Sequence, residues 1–159
     1  MKKGKILNRQ LNEAIAGMGH GDILIISDAG FPIPDSGVKR VDLAVTRDIP
    51  DIMTVLELIT DDFIYEKCIV AEEQRLYNPP LHTKVQKAID RCKVETIPHS
   101  EIMENFPKKV KVIVRTGAFE PWGNIILYSG VDAPAWFQKE GTVIPNYYEE
   151  RAGYKEKCE

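Results

Sequence analysis

A chain of 159 residues, 43% hydrophobic and 28% charged, has the size and balance of a single globular domain with one core. Its 21 basic and 24 acidic residues are interspersed and sum to a formal charge of -3, so no basic stripe marks it for phosphate backbones or anionic lipid, and neither nucleic acid nor membrane is expected as a partner. Cys68, Cys92 and Cys158 are odd in number and form no Cys-x-x-Cys pair, which argues against a disulfide framework and a zinc site and fits a reducing compartment.

The first ten residues begin with a basic Met-Lys-Lys-Gly-Lys but reach Asn8 and Arg9 before any apolar signal segment forms, and no later apolar run approaches membrane-spanning length. The expected location is the cytoplasm. Leu7, Leu11, Ala14, Ile15 and Met18 recur at helical spacing, with Asn8 as N-cap and Gly17 and Gly19 as terminators. Ile23 to Ile26 is a continuous apolar run rich in β-branched residues, as a buried strand requires, and Asp28 to Pro34 must be a loop.

The alternation continues. Residues 40–46 read as a strand and 50–60 as a helix with Ile52, Val55, Leu56 and Ile59 on one face; residues 68–71 read as another buried strand. A helix is expected after Asn78-Pro79-Pro80 as far as Arg91, then a strand over 94–97, a short helix after His99, and strands over 110–115 and 125–128. This order predicts a single α/β layered domain with a mainly parallel central sheet flanked by helices. From Asp132 the periodicity fades, yet Trp136, Phe137, Tyr147, Tyr148 and Tyr154 make the tail too aromatic for a disordered segment. The expected division is a domain over 1–131 and an extension over 132–159, docked on its own subunit or a neighbour.

Ligands of open α/β sheets gather at the carboxyl ends of the strands, which directs attention to polar residues after buried runs. Asp28 follows the first strand, where it can hold hydroxyl groups or orient a histidine, or only cap a turn. His20 lies between Gly19 and Gly21 before that strand; it has room for a ligand, and equally the place of a turn histidine bonded to a backbone carbonyl. His99 follows Pro98 and can be a ligand or a helix-start residue. In Glu120-Pro121-Trp122-Gly123-Asn124 an aromatic face and an amide suit a sugar ring, while ordinary packing accounts for the aromatic as well. His82 falls in the first turn of a helix, no histidines have helical ligand spacing, and no metal is expected. The glycines from Gly17 to Gly21 follow a helix, whereas a phosphate-binding loop follows a strand, so no nucleotide cofactor is expected.

The opening Met-Lys-Lys-Gly-Lys-Ile-Leu-Asn, Met18-Gly19-His20-Gly21-Asp22 and Ser27-Asp28-Ala29-Gly30-Phe31-Pro32-Ile33-Pro34 together resemble the family of ribose pyranases and fucose mutarotases. The likeness continues through Ala71-Glu72-Glu73, Asn78-Pro79-Pro80-Leu81-His82, Pro98-His99, Arg115-Thr116-Gly117 and Gly123-Asn124, and covers residues 1 to about 131. It implies a cofactor-free isomerase that opens and recloses an aldose ring, with His20 as general acid/base and Asp28, His99, Trp122, Gly123 and Asn124 holding the monosaccharide. It also implies a ring-shaped homo-oligomer, a decamer, with sites between neighbouring subunits.

Two positions depart from the ribose pattern. Trp122 stands where a tyrosine is usual and Met103 where a lysine is frequent, and each change removes a polar contact. β-Pyranose and β-furanose D-ribose are the expected substrate forms. An L-fucose-type mutarotase and a non-catalytic sugar-binding accessory of a transport system are the alternatives.

Overall fold

The computed structural model describes residues 2–154; Cys158 and the rest of 155–159 lie outside the described residues. Asn8 caps α1 (Arg9–Ala16) by accepting the Leu11 N–H, and Gly17 ends it. In order there follow β1 (Ile23–Ser27), β2 (Lys39–Asp42), α2 (Ile52–Thr60), β3 (Tyr65–Ala71), α3 (Glu72–Tyr77), α4 (Pro79–Ala88) and β4 (Val94–Ile97). The domain closes with α5 (His99–Asn105), β5 (Val112–Arg115) and β6 (Ile125–Ser129).

The six strands form one sheet in the order β2-β5-β1-β6-β3-β4. β1 and β2 each pair parallel with β5, and β3 pairs parallel with β4, while β6 runs antiparallel between β1 and β3. The expected mainly parallel sheet is therefore present, with one reversed strand at its centre. Because β5 and β6 are consecutive yet separated by β1, residues 116–124 have to cross the carboxyl end of β1. That crossing builds half of the site described below.

Side-chain alternation divides the sheet between two apolar layers. Leu24, Ile26, Cys68, Val70, Val112, Val114, Ile125 and Leu127 face a larger cluster covered by α1, α2 and α4 through Leu11, Ala14, Ile52, Leu56, Leu81 and Val85. Ile25, Ile69, Ile113 and Ile126 face a smaller one closed by Phe31, Ile102 of α5 and Val110. At about 1.5–3 kcal/mol per fully buried aliphatic side chain, this two-sided burial is what favours continuous apolar strands over alternating ones.

Several boundaries differ from the periodicity. β2 stops at Asp42 because its carboxylate turns back to accept the Ala44 N–H and two hydrogen bonds from Arg115, which breaks the strand before residue 46. α2 begins two residues after Pro50, where Asp51 accepts the Thr54 N–H as N-cap. Helix α3 is additional: Glu72 and Glu73 occupy its first turn, where acidic groups favour the helix dipole. Asn78 then caps α4, with Pro79 as a compatible first residue.

The C-terminal segment contains two four-residue helices, α6 (Ala133–Trp136) and α7 (Glu149–Ala152), with a 3₁₀ turn at Asn146–Tyr148. Phe137 meets Tyr148 edge-on and Tyr147 meets it tilted, at ring separations of 5.7 and 5.2 Å. The segment reaches back to the sheet through Arg151, 3.0 Å from Glu66, and through Tyr154, over which the Arg91 guanidinium lies at 4.2 Å. Trp136, Val143 and Tyr147 remain exposed.

Candidate active site

At the carboxyl edge, Asn124 is buried where residues 116–124 pass over β1. Its Oδ1 accepts the Asp28 N–H at 3.2 Å, and its Nδ2 donates to Asp28 Oδ2 at 3.1 Å, so one amide grips both the main chain and the side chain of Asp28. The other carboxylate oxygen accepts the Gly30 N–H at 2.7 Å. Thr116 Oγ1 donates to Ser27 O at 2.8 Å, and Arg115 Nε donates to Ala29 O, fixing the Asp28 loop from the β5 side. Every rotatable bond of Asp28 is thereby committed before a ligand arrives.

The neighbouring turn is equally constrained. Trp122 has φ of +53°, a left-handed conformation uncommon for a large side chain. Buried Gln74 on α3 secures it by donating to Trp122 O at 2.8 Å. A Cβ on Gly123 would lie 2.9 Å from Glu120 Cβ and O, so only glycine closes this turn without displacement. The indole packs on the smaller apolar cluster and tilts against Tyr77 at 5.3 Å, and Met103 packs on that same cluster. Both departures from the ribose pattern thus contribute apolar surface beside the edge.

His99 starts α5, its N–H donating to Glu73 at 2.8 Å. Its Nδ1, together with Ser27 Oγ and Gln74 Oε1, is buried without a hydrogen-bond partner among the described residues. Buried polar atoms normally have partners, and this concentration at one edge suits a ligand rich in hydroxyl groups. His82 Nδ1 is also buried and unpartnered, one turn into α4; burial, and next the charge of Arg75, lower its pKa.

The structure brings Asp28, His99, Trp122, Gly123 and Asn124 to one edge, and places His20 elsewhere. His20 precedes β1 and therefore lies at the amino edge of the sheet, separated from Asp28 by a five-residue strand, roughly 16 Å at about 3.3 Å per residue. Within a subunit Asp28 cannot orient His20, one of the two functions its position in the sequence allowed. The carboxylate beside His20 is Glu66, whose Oε1 and Oε2 lie 3.1 and 3.2 Å from Nε2. With β3 expected to begin at Cys68, Glu66 fell outside a recognised element. The apolar Tyr65 ahead of it was the available sign of a longer strand.

Among the described residues no three His, Cys, Asp or Glu side chains converge as a metal site requires, and no helix is long and apolar enough to cross a membrane.

A mainly parallel six-stranded sheet with a single reversed strand, carrying an amide-gripped aspartate at one edge and a histidine at the other, places the chain in a small α/β class. The chain belongs to the RbsD / FucU transport protein family, whose model matches residues 1–132. It is 52% identical over 153 residues to D-ribose pyranase 2 of Rubrobacter xylanophilus, covering 96% of this chain and 99% of that relative. It is 46% identical over 148 residues to D-ribose pyranase 1 of Streptomyces griseus, covering 93% and 97%. The structure of Bacillus subtilis RbsD complexed with D-ribose superposes with a TM-score of 0.77 at 34% identity, over 82% of this chain and 98% of that one.

Proposed function

We propose that this protein is an isomerase that interconverts the β-pyranose and β-furanose forms of D-ribose without a cofactor, in the cytoplasm. The observation that carries this is the 52% identity to a D-ribose pyranase across almost the full length of both chains. The carboxyl edge supports it physically, since a fixed carboxylate, an amide, unpartnered polar atoms and an indole are the groups that recognise a sugar's hydroxyls and its apolar face.

Opening a hemiacetal ring requires a proton on the ring oxygen and loss of the proton from the anomeric hydroxyl; closure through another hydroxyl reverses both transfers. His20 donates to the ring oxygen in this scheme, because imidazole is the side chain suited to both giving and taking a proton in general acid/base catalysis. Asp28, His99 and Asn124 fix the hydroxyls, and Trp122 and Gly123 shape the wall. Positioned acid/base catalysis of about 10²–10⁴-fold, roughly 3 to 5 kcal/mol of barrier, suffices for rings that already open unaided in water.

The separation between His20 and Asp28 supports a site shared by two copies. An amino edge of one subunit set against the carboxyl edge of the next is a head-to-tail contact, the kind that closes into rings. The assembly proposed is a ring-based homodecamer, with residues 132–159 forming an extension that docks at its own subunit and contributes to the contacts between them.

NMR exchange spectroscopy on ribose and fucose, with and without protein, is the deciding experiment. Accelerated exchange between pyranose and furanose ribose is expected. Acceleration confined to fucose anomers would replace this proposal with a mutarotase, and sugar binding with no acceleration would replace it with a non-catalytic accessory of transport.

A further inference from the structure

The amino edge holds a second polar arrangement besides His20. β3 and β6 slip register between Tyr65 and Lys67: Tyr65 pairs with Ser129, and Lys67 with the adjacent Tyr128. Glu66 is therefore the extra residue of a bulge, a device that re-aims a side chain out of the strand's alternation. Gly130 permits the close approach, since a Cβ there would lie 3.2 Å from Glu66 Cβ. The His20 turn is anchored to the same place, with Gly21 N–H donating to Ser129 O at 2.9 Å and Ser129 N–H donating to Asp22 O at 2.8 Å. Asp22 Oδ2 in turn accepts the Gly19 N–H at 2.7 Å and braces the loop from within.

The Glu66 side chain is only 21% exposed and meets two partners: His20 Nε2 at 3.1 Å and the Arg151 guanidinium of α7 at 3.0 Å. Arg151 belongs to the segment beyond the 132 residues that the family model matches. Its guanidinium also lies 5.1 Å from the Tyr148 ring, which holds it over the carboxylate.

We propose that Glu66 is the positioning residue for His20, holding Nε2–H so that Nδ1 is the nitrogen that exchanges protons with the sugar, and that Arg151 fixes Glu66 from the C-terminal segment. This rests on the acid/base role proposed for His20. A carboxylate on one imidazole nitrogen selects the tautomer protonated there and stabilises the imidazolium.

The proton balance then runs through Nδ1. On opening, the bond from C1 to the ring oxygen breaks as the His20 imidazolium gives its Nδ1 proton to that oxygen and becomes the neutral Nε2–H form, and the anomeric hydroxyl loses its proton to water as the C1 carbonyl forms. On closure, the attacking hydroxyl returns its proton to Nδ1, and the carbonyl oxygen takes one from water. The cycle leaves His20 and Glu66 as they began.

Nitrogen-15 NMR of the imidazoles, assigned with His20→Ala, reads the tautomer without any turnover. In the wild-type protein His20 is expected as the Nε2–H form when neutral. Glu66→Ala should lose that preference and lower kcat on the order of tenfold with little change in KM, because only part of the acid/base contribution is removed. Glu66→Asp should restore the tautomer preference, and Arg151→Ala should lower kcat in the same direction by a smaller factor. An unchanged His20 spectrum and unchanged kcat in Glu66→Ala would overturn the proposal, as would an Nδ1–H tautomer in the wild type. If His20→Ala itself kept full activity, the acid/base role would fail separately, and the spectrum would still report whether Glu66 orients the ring.

Discussion

The two edges of the sheet solve different problems with the same strands. At the carboxyl edge Asn124 is 2% exposed, and its amide, Gln74, Thr116 and Arg115 leave Asp28 and Trp122 almost no freedom. At the amino edge the His20 side chain is 43% exposed and is held by one carboxylate. Recognition of a polyol profits from groups fixed in advance, because ordering them on binding costs affinity. Proton transfer instead needs a group that reaches the ligand, and the histidine proposed for that task stands open at its edge.

The contrast can be broken most decisively at His20. His20→Ala should reduce turnover by about 10²–10⁴-fold while sugar binding, followed by calorimetry, and the thermal midpoint stay close to wild type. A destabilised variant would show that the amino edge is structural after all. Asn124→Ala should behave in the opposite way. It removes both Asn124 contacts to Asp28, leaving the Gly30 N–H on its carboxylate, and should cost about 1–3 kcal/mol in urea unfolding, together with loss of ribose binding.

Removing residues 132–159 should leave the fold intact and lower the number of subunits per particle measured by light scattering, since Trp136, Val143 and Tyr147 are exposed on a single subunit. An unchanged number of subunits would confine that segment to its own subunit. The smallest effect belongs to His82. Its folded-state pKa is lowered, so the unfolded chain binds the extra proton first. Stability should be fully present above about pH 6.5 and decline as pH falls through that value towards the lower folded pKa. His82→Leu should flatten the decline in thermal midpoint as pH falls below about 6.5; an identical slope would assign it to other groups.

Much of the architecture was legible because burial on both faces of the sheet writes itself as continuous apolar runs, as in Ile23 to Ile26, and because Asn8 and Asn78 are local caps. The place of Asp28 and His99 at strand ends was legible for a related reason, since strand ends are marked by the change from apolar to polar, while their proposed roles came from the resemblance. What escaped depends on contacts distant in sequence. Glu66 gains its place from a bulge against β6 and from Arg151, which is 85 positions later (151 − 66). Gln74 looks like any polar helix residue until the turn at Trp122 packs over it. The distance between His20 and Asp28 also required topology, because eight positions along the chain (28 − 20) become the two ends of a strand only once the strand is known.

The reversed strand has a consequence for engineering. β6 begins beside Asn124 and ends beside the Glu66 bulge, and it is hydrogen-bonded along both flanks, so it fixes the spacing of the two edges as a rigid strut does. In the proposed scheme, exposed positions of the 116–124 crossing such as Phe119 can therefore be changed to alter the carboxyl edge, with Thr116, Gly117, Gly123 and Asn124 kept, while the His20 edge at the other end of the strut keeps its geometry.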